Sequence, residues 1–122
     1  MATFMTFPLL FCLEEDMKES QFQHNLIKKI EDRFPGAIVM KNDPNYIQGI
    51  PDLTVLYEDK WATLECKKDK KASARTNQPY YVNRMNEMSF SRFIYPENCE
   101  EVLDELERSF KTRRASRSSK SK

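Results

Sequence analysis

The order of hydrophobic patterns along this chain predicts a mixed α/β domain, with a central mixed sheet flanked by helices. Three observations carry that expectation. Phe22, Leu26, Ile30 and Phe34 recur at every fourth position, the apolar stripe of an amphipathic helix. Leu53 to Tyr57 and Trp61 to Lys67 are rich in β-branched, aromatic and apolar residues, and they flank the polar Glu58-Asp59-Lys60, which is the pattern of an antiparallel hairpin. After the hairpin come a helical pattern, a further β-rich run and a last helical pattern.

The elements follow in order. Residues 1–15 form an apolar arm. It lacks a basic start and an Ala-x-Ala-like end, contains Pro8 and runs into Glu14-Glu15-Asp16, so it does not read as a signal peptide. It is also too short to span a bilayer, and no membrane role is called for. The arm is expected to pack on the body or on a second subunit, or to be disordered; because an apolar arm left exposed is a liability, packing is favoured. A single folded body is expected over residues 16–110, beginning with a helix from Asp16 to Phe34 that Pro35-Gly36 stops. Ala37 to Lys41 reads as a strand, and Asn42-Asp43-Pro44-Asn45 as a turn. The hairpin follows. Lys67 to Thr76 is polar and aperiodic, and is expected to be a mobile loop. A second helix spans Gln78 to Met88, with Tyr81, Met85 and Met88 inward. Ser91 to Tyr95 is a strand closed by Pro96, and Glu97 to Phe110 a helix with Val102, Leu103, Leu106 and Phe110 on its core face. Residues 111–122 read as a disordered basic tail.

Composition narrows the function classes. With 122 residues, 32% charged and 39% hydrophobic, the chain suits one small globular domain with a modest core. The net charge of +1 conceals an asymmetry. Six of the 20 basic residues fall at Lys111, Arg113, Arg114, Arg117, Lys120 and Lys122, with no acid among them. Fourteen basic against 19 acidic residues leave positions 1–110 at −5. A slightly acidic body with a basic tail suits a protein whose metal ions and tail jointly offset repulsion from phosphate. The three cysteines, Cys12, Cys66 and Cys99, are odd in number and lack paired metal-site spacing, which points to a reducing, cytoplasmic setting. His24 is the sole histidine and falls on the polar side of the first helix, so neither a histidine metal site nor a serine or cysteine triad is expected.

The chemistry concentrates in Gly49-Ile50-Pro51-Asp52 and Glu65-Cys66-Lys67. If the hairpin turns at Asp59 or just before it, Asp52 falls opposite Glu65 or its neighbour. Opposed side chains on one face have Cβ atoms about 4.5–5.5 Å apart, close enough to share a hard cation. Glu65 and Lys67 share that face while Cys66 points the other way. Two carboxylates side by side in a partly dry cleft stay ionised only when a cation joins them. Magnesium, which takes one or two protein carboxylates and phosphate oxygens, fits that need, and manganese is expected to substitute. Lys67 would then orient an attacking water and offset charge on the phosphate. An ordinary surface hairpin would also place Asp, Glu and Lys on its wet side. The Gly-x-Pro-Asp turn, the hairpin length and the apolar flanks together favour a site. Glu19 precedes Phe22 and Leu26 on one helical face, so it looks inward from the edge of the core stripe, where a metal would resolve the cost of an unpaired carboxylate.

At these residues the chain resembles the PD-(D/E)XK nuclease superfamily, most closely its VRR-NUC branch of virus-type replication and repair nucleases, with Holliday-junction resolvases among the wider relatives. The likeness rests on Gly49-x-Pro51-Asp52, on Glu65-x-Lys67 in the next strand, on Gln78 opening a later helix and on Glu19 in an upstream helix, and it covers about residues 16–106. The order α-β-β-β-α-β-α also matches the αβββαβ restriction-endonuclease-like core followed by a C-terminal helix. The long lysine-rich stretch after Lys67, and Met88-Ser89 in place of a common glycine, depart from the pattern. The resemblance implies a Mg²⁺-dependent DNA endonuclease of replication, recombination or repair that leaves a 5′-phosphate and a 3′-hydroxyl. By it, Glu19, Asp52 and Glu65 would hold the metal with the Cys66 carbonyl, Lys67 would position the water, and Gln78 would support the site or the phosphate.

With no separate sequence-reading module, recognition is expected to rest on backbone and shape, favouring branched DNA such as a Holliday junction or flap. Two symmetric nicks call for a homodimer. Lys68, Lys70, Lys71, Arg75, Arg113 and Arg114 are the expected DNA contacts. Tyr80, Tyr81 and Arg84 could meet DNA as well, although an aromatic pair on a helix is more often core. The virus-type likeness allows for a virus-encoded protein acting in the cytoplasm of its host. The competing readings are a catalytically inactive nucleic-acid-binding module of the same fold, and an RNA-directed nuclease.

Overall fold

The fold, seen in a computed structural model, is built on a four-stranded mixed sheet with helices on both faces. The structure describes residues 19–74 and 79–120, with side chains described for 19–72 and 79–111. Helix α1 covers 19–33. It buries Leu26 and Ile30, and Phe34 just past its end is buried with them, as the stripe requires. Pro35 cannot continue a helix, and Gly36 takes φ 90, letting the chain reverse as the Ala37 N–H donates to the Phe34 carbonyl at 2.9 Å.

Strand β1 spans Ile38–Lys41. Past it, the Asp43 carboxylate accepts the Asn45 N–H at 2.9 Å, the local turn that asparagine and aspartate favour. Strands β2 (Leu53–Tyr57) and β3 (Lys60–Cys66) form the expected hairpin. Lys60 joins the strand and Lys67 falls just past its end, one residue earlier than the pattern suggested at both ends. Two residues, Glu58 and Asp59, make the turn, and Glu58 has φ 56. That conformation costs an L-residue roughly 1–2 kcal/mol. The Glu58 carboxylate offsets part of it by accepting from the Lys60 ammonium at 3.1 Å.

The sheet order is β1-β2-β3-β4, with β4 at Ser91–Ile94. The first two pairings are antiparallel and β3–β4 is parallel, so a crossover is needed between them. Two helices lie in that crossover, α2 (Lys70–Ala74) and α3 (Tyr80–Met88). The mobile loop expected from Lys67 to Thr76 is corrected here: the Asp69 carboxylate accepts the Ala72 N–H at 2.8 Å and caps a short helix that the charge run hid. Helix α4 covers Cys99–Lys120. It therefore continues through most of the stretch read as a disordered tail, because no glycine or proline interrupts the chain from residue 97 onward.

One face of the sheet carries the main core. Leu53 and Val55 of β2, and Ala62, Leu64 and Cys66 of β3, pack with Leu26 and Ile30 of α1, with Phe34 just past it, and with Val102, Leu103, Leu106 and Phe110 of α4. Phe34, Tyr57 and Phe110 close one end of it, with ring centroids 5.3–5.6 Å apart. Arg33 ties the two helices by bonding Asp104 and Glu107. The other face takes α3. There Val82 is the buried residue and Met88 is 56% exposed, which corrects the inward set expected for this helix. Helix α3 begins at Tyr80, two residues later than expected, so its pattern is phased on a shorter segment. It covers β3 and β4 only. Ile38, Met40 and Leu56, on that same face of β1 and β2, stay exposed. Among the described residues no helix is long and apolar enough to cross a membrane.

Candidate functional site

The two acids meet where β2 and β3 come together at the open end of the hairpin. Leu53 pairs with Leu64, and one further step of that register sets Asp52 opposite Glu65. Three hydrogen bonds hold the approach to Asp52. Asn42 donates its side-chain N–H to the Pro51 carbonyl at 2.8 Å and its backbone N–H to the Asp52 carbonyl at 2.8 Å, and its side-chain oxygen accepts from the Thr54 hydroxyl at 3.0 Å. Gly49, at φ 87, and the buried Pro51 complete the bend. The Gly-x-Pro-Asp sequence thus works as a rigid lead into β2, and Asn42, which sequence reasoning passed over as a turn residue, is its clamp.

Asp52 Oδ2 accepts the Cys66 N–H at 2.8 Å, bridging the two strands. Glu65 Oε2 lies 3.1 Å from Lys67 Nζ, and both side chains are largely shielded, at 19% and 23% exposure. Glu65 Oε1 is buried and, among the described residues, is the one buried side-chain polar atom without a hydrogen-bond partner. Such an oxygen is costly unless something outside the chain satisfies it. Burial, chiefly, raises the pKa of both acids. In Glu65 the charge of Asp52 adds to that rise, while Lys67 works against it in both. Two desolvated, mutually repelling carboxylates with one oxygen free are a donor set suited to a hard divalent cation.

Cys66 belongs to the core face, where burial, chiefly, pushes its thiol up to about 12. The neighbouring charges of Asp52, Glu65 and Glu19 add to this and a hydrogen bond with Gln23 opposes it. The thiol is therefore neutral and no nucleophile. The same interactions locate α1: Gln23 reaches Cys66 by a hydrogen bond, and the charge of Glu19, one helical turn earlier, is felt there. Gln23 was not foreseen, although its spacing from Glu19 was the signal that could have found it.

The predicted residues are brought together unequally. Asp52, Glu65 and Lys67 form one cluster, and the Cys66 backbone lies against it through its N–H. Glu19 is exposed at the neighbouring helix start. Among the described residues no three His, Cys, Asp or Glu side chains are grouped to hold a metal, so Glu19 does not close on the pair. Lys68 is partly exposed, and Lys70 and Lys71 are exposed on α2. Gln78 and Arg75 lie outside the described residues, as do the side chains of Arg113 and Arg114 in α4. Compared with known proteins, the chain matches no family model, no curated protein and no solved structure.

Proposed function

We propose that the chain is a Mg²⁺-dependent DNA endonuclease, with Mn²⁺ able to substitute, that cuts branched DNA and acts as a homodimer. The observation that carries the reading is Glu65: one carboxylate oxygen paired with Lys67, the other buried and unpartnered beside Asp52. The order of helices and strands, and the likeness of Asp52, Glu65 and Lys67 to the PD-(D/E)XK pattern, lend it support.

Asp52 and Glu65 are the residues that would hold the metal, with the Cys66 carbonyl as a further oxygen; Glu19, exposed at the start of α1, stands outside this set. A divalent cation bound there supplies Lewis acidity toward the phosphodiester and its attacking water. The Lys67 ammonium, anchored on Glu65, orients that water and offsets charge building on the phosphate oxygens. In-line attack breaks the bond from phosphorus to the 3′ oxygen and leaves a 5′-phosphate and a 3′-hydroxyl. Lys68, Lys70 and Lys71 follow Glu65-Cys66-Lys67 in the chain and would meet the backbone of the DNA; Arg75, Arg113 and Arg114 are further candidate contacts by their charge alone. Gln78 supports the phosphate.

The test is magnesium- or manganese-dependent nicking of supercoiled plasmid and of a four-way junction, with Asp52→Ala and Lys67→Ala alongside. The expected outcome is cleavage by the wild type and none by either variant. One observation, the exposed Glu19 standing apart from the pair, favours a second reading, a nucleic-acid-binding module without catalysis. Tight binding with no cleavage by the wild type would establish that instead. Cleavage of RNA but not DNA in the same assay would reassign the substrate.

A further inference from the structure

Helix α3 places an exposed aromatic side chain at the reacting end of the sheet. Its position follows from two anchors. At its C-terminal end the Ser89 hydroxyl donates to the Trp61 carbonyl, near the start of β3. Further up, the Thr63 hydroxyl contacts the Met85 sulfur at 3.4 Å, so Met85 stands level with Thr63. From Met85 back to Tyr80 is five residues, about 7.5 Å of helix. From Thr63 to Glu65 is two residues, about 6.6 Å of strand. Helix and strand run in opposite directions, as the parallel β3–β4 pairing requires, so the first turn of α3 comes level with Glu65, on the face that Glu65 shares with Thr63.

That first turn carries Tyr80 and Tyr81. Tyr81 precedes Met85 by one helical turn and is half-buried with it. Tyr80 is 61% exposed and rests edge-to-face on Tyr81, with centroids 4.9 Å apart and planes at 76°. The contact braces the Tyr80 ring, and among the described residues most of its surface stays exposed. Arg84, one turn along from Tyr80, is exposed, and its ion pair among the described residues is a long one, 3.6 Å, with Glu87. A fixed open ring with a cation alongside is the arrangement that takes a nucleobase by stacking and its phosphate by charge. A base inside a duplex has no free face to offer.

We infer that Tyr80, braced by Tyr81 and flanked by Arg84, is a stacking platform for one unpaired base of the DNA beside the scissile phosphate. The inference rests on the nuclease reading for its substrate, and it ranks the branched substrates: DNA with a single-stranded nucleotide at the cut, a fork or flap, is cut in preference to a fully paired four-way junction.

The experiment uses forked DNA carrying 2-aminopurine at the unpaired position beside the fork, with Ca²⁺ replacing Mg²⁺ so that binding is read without turnover. The wild type is expected to quench the fluorescence, Tyr80→Phe and Tyr80→Trp to preserve the quench, and Tyr80→Ala to abolish it. Tyr80→Ala should bind forked DNA about 5- to 100-fold more weakly, the range one base–aromatic stack supplies, and paired duplex as well as the wild type does. Circular dichroism checks that the variants fold, and the Phe and Trp variants read the platform even if the alanine variant does not. Equal quenching by the wild type and Tyr80→Ala, or equal weakening on forked and paired DNA, would overturn the platform. The two readings can fail separately. Cleavage of forked DNA with no dependence on Tyr80 leaves the nuclease and removes the platform, whereas a Tyr80-dependent quench without any cleavage leaves the platform and removes the nuclease. A wild type that binds no DNA removes both.

Discussion

The two ends of the β2–β3 hairpin hold the same three charges and treat them oppositely. At the turn, the Lys60 ammonium bonds Glu58 at 3.1 Å and Asp59 at 2.9 Å, and both carboxylates remain open to water, at 42% and 62% exposure. Burial acts to lower the pKa of Lys60, but those two hydrogen bonds and charges outweigh it and raise it. At the open end, Lys67 serves one oxygen of Glu65, both acids are drawn out of water, and their pKa values rise. Two acids and a lysine therefore make a satisfied cap in one place and an unsatisfied cleft in the other. What separates them is desolvation of the acids, and composition alone does not reveal that.

The sharpest way to break the comparison is to remove each lysine in turn. Lys67→Ala is expected to lower the cleavage rate about 1,000-fold, the scale of losing one charged group aimed at developing charge. Lys60→Ala, measured on the same plasmid at the same concentration of folded protein, should stay within about twofold of the wild type. Comparable losses at both would show that the ends are not functionally distinct.

Added cation should also find only one end. Mn²⁺ or Mg²⁺ at about 100 times its dissociation constant is expected to stabilise the wild type by about 2.7 kcal/mol and to raise its melting temperature in a thermal-shift assay. Glu65→Gln should lose most of that response, and Lys60→Ala should keep it.

Without a cation the sign reverses. An acid whose folded-state pKa lies above its unfolded value binds its proton more tightly in the native protein. Stability of the metal-free fold therefore falls as pH rises from the ordinary carboxylate range, about 4, through the raised values of Asp52 and Glu65, and the deficit persists above them. Glu65→Gln removes one of these acids and its repulsion of the other. It should be more stable than the metal-free wild type at neutral pH by about 1 kcal/mol, with the gap opening across that window in urea melts. A gap independent of pH would refute the desolvation argument.

The smallest effect belongs to the turn. Lys60→Met keeps the buried stem and removes the charge, and with both partners exposed it is expected to cost no more than about 1 kcal/mol in the same melts.

Much of this was legible in the residues, for reasons that can be named. The stripe Phe22, Leu26, Ile30 and Phe34 located α1 because burial on one side forces a helical repeat. The hairpin register, and with it the facing of Asp52 and Glu65, followed from the two-residue turn at Glu58-Asp59. Helix α2 was missed because four lysines mask the cap that Asp69 supplies. The inward side of α3 was misjudged in part: Tyr81 and Met85 are half-buried as their spacing implies, but Val82 beside Tyr81 is the residue the sheet covers and Met88, in the last turn, is left open, which depends on how the helix is seated against β3 and β4. Asn42 and Gln23 act through contacts made across the fold, with Pro51 and Cys66 respectively, and no local pattern announces such partners. Nor could spacing show that Glu19 would stop at the surface, because the reach of a helix-borne side chain depends on how the helix is seated against the sheet.

The strand order has a consequence for how the molecule breathes. β2 and β3 are the two interior strands, and β1 and β4 lie at the margins. Fraying begins at margins, where backbone groups have a neighbour on one side only. Loosening of either outer strand therefore leaves the alignment of Asp52 with Glu65 in place, and the amides of Ala62 and Leu64, paired with Val55 and Leu53 of β2, should be among the last in the chain to trade hydrogen for deuterium. The carboxylate pair is held apart from the motions that dissolve the periphery first, and it should come undone only when the whole domain does.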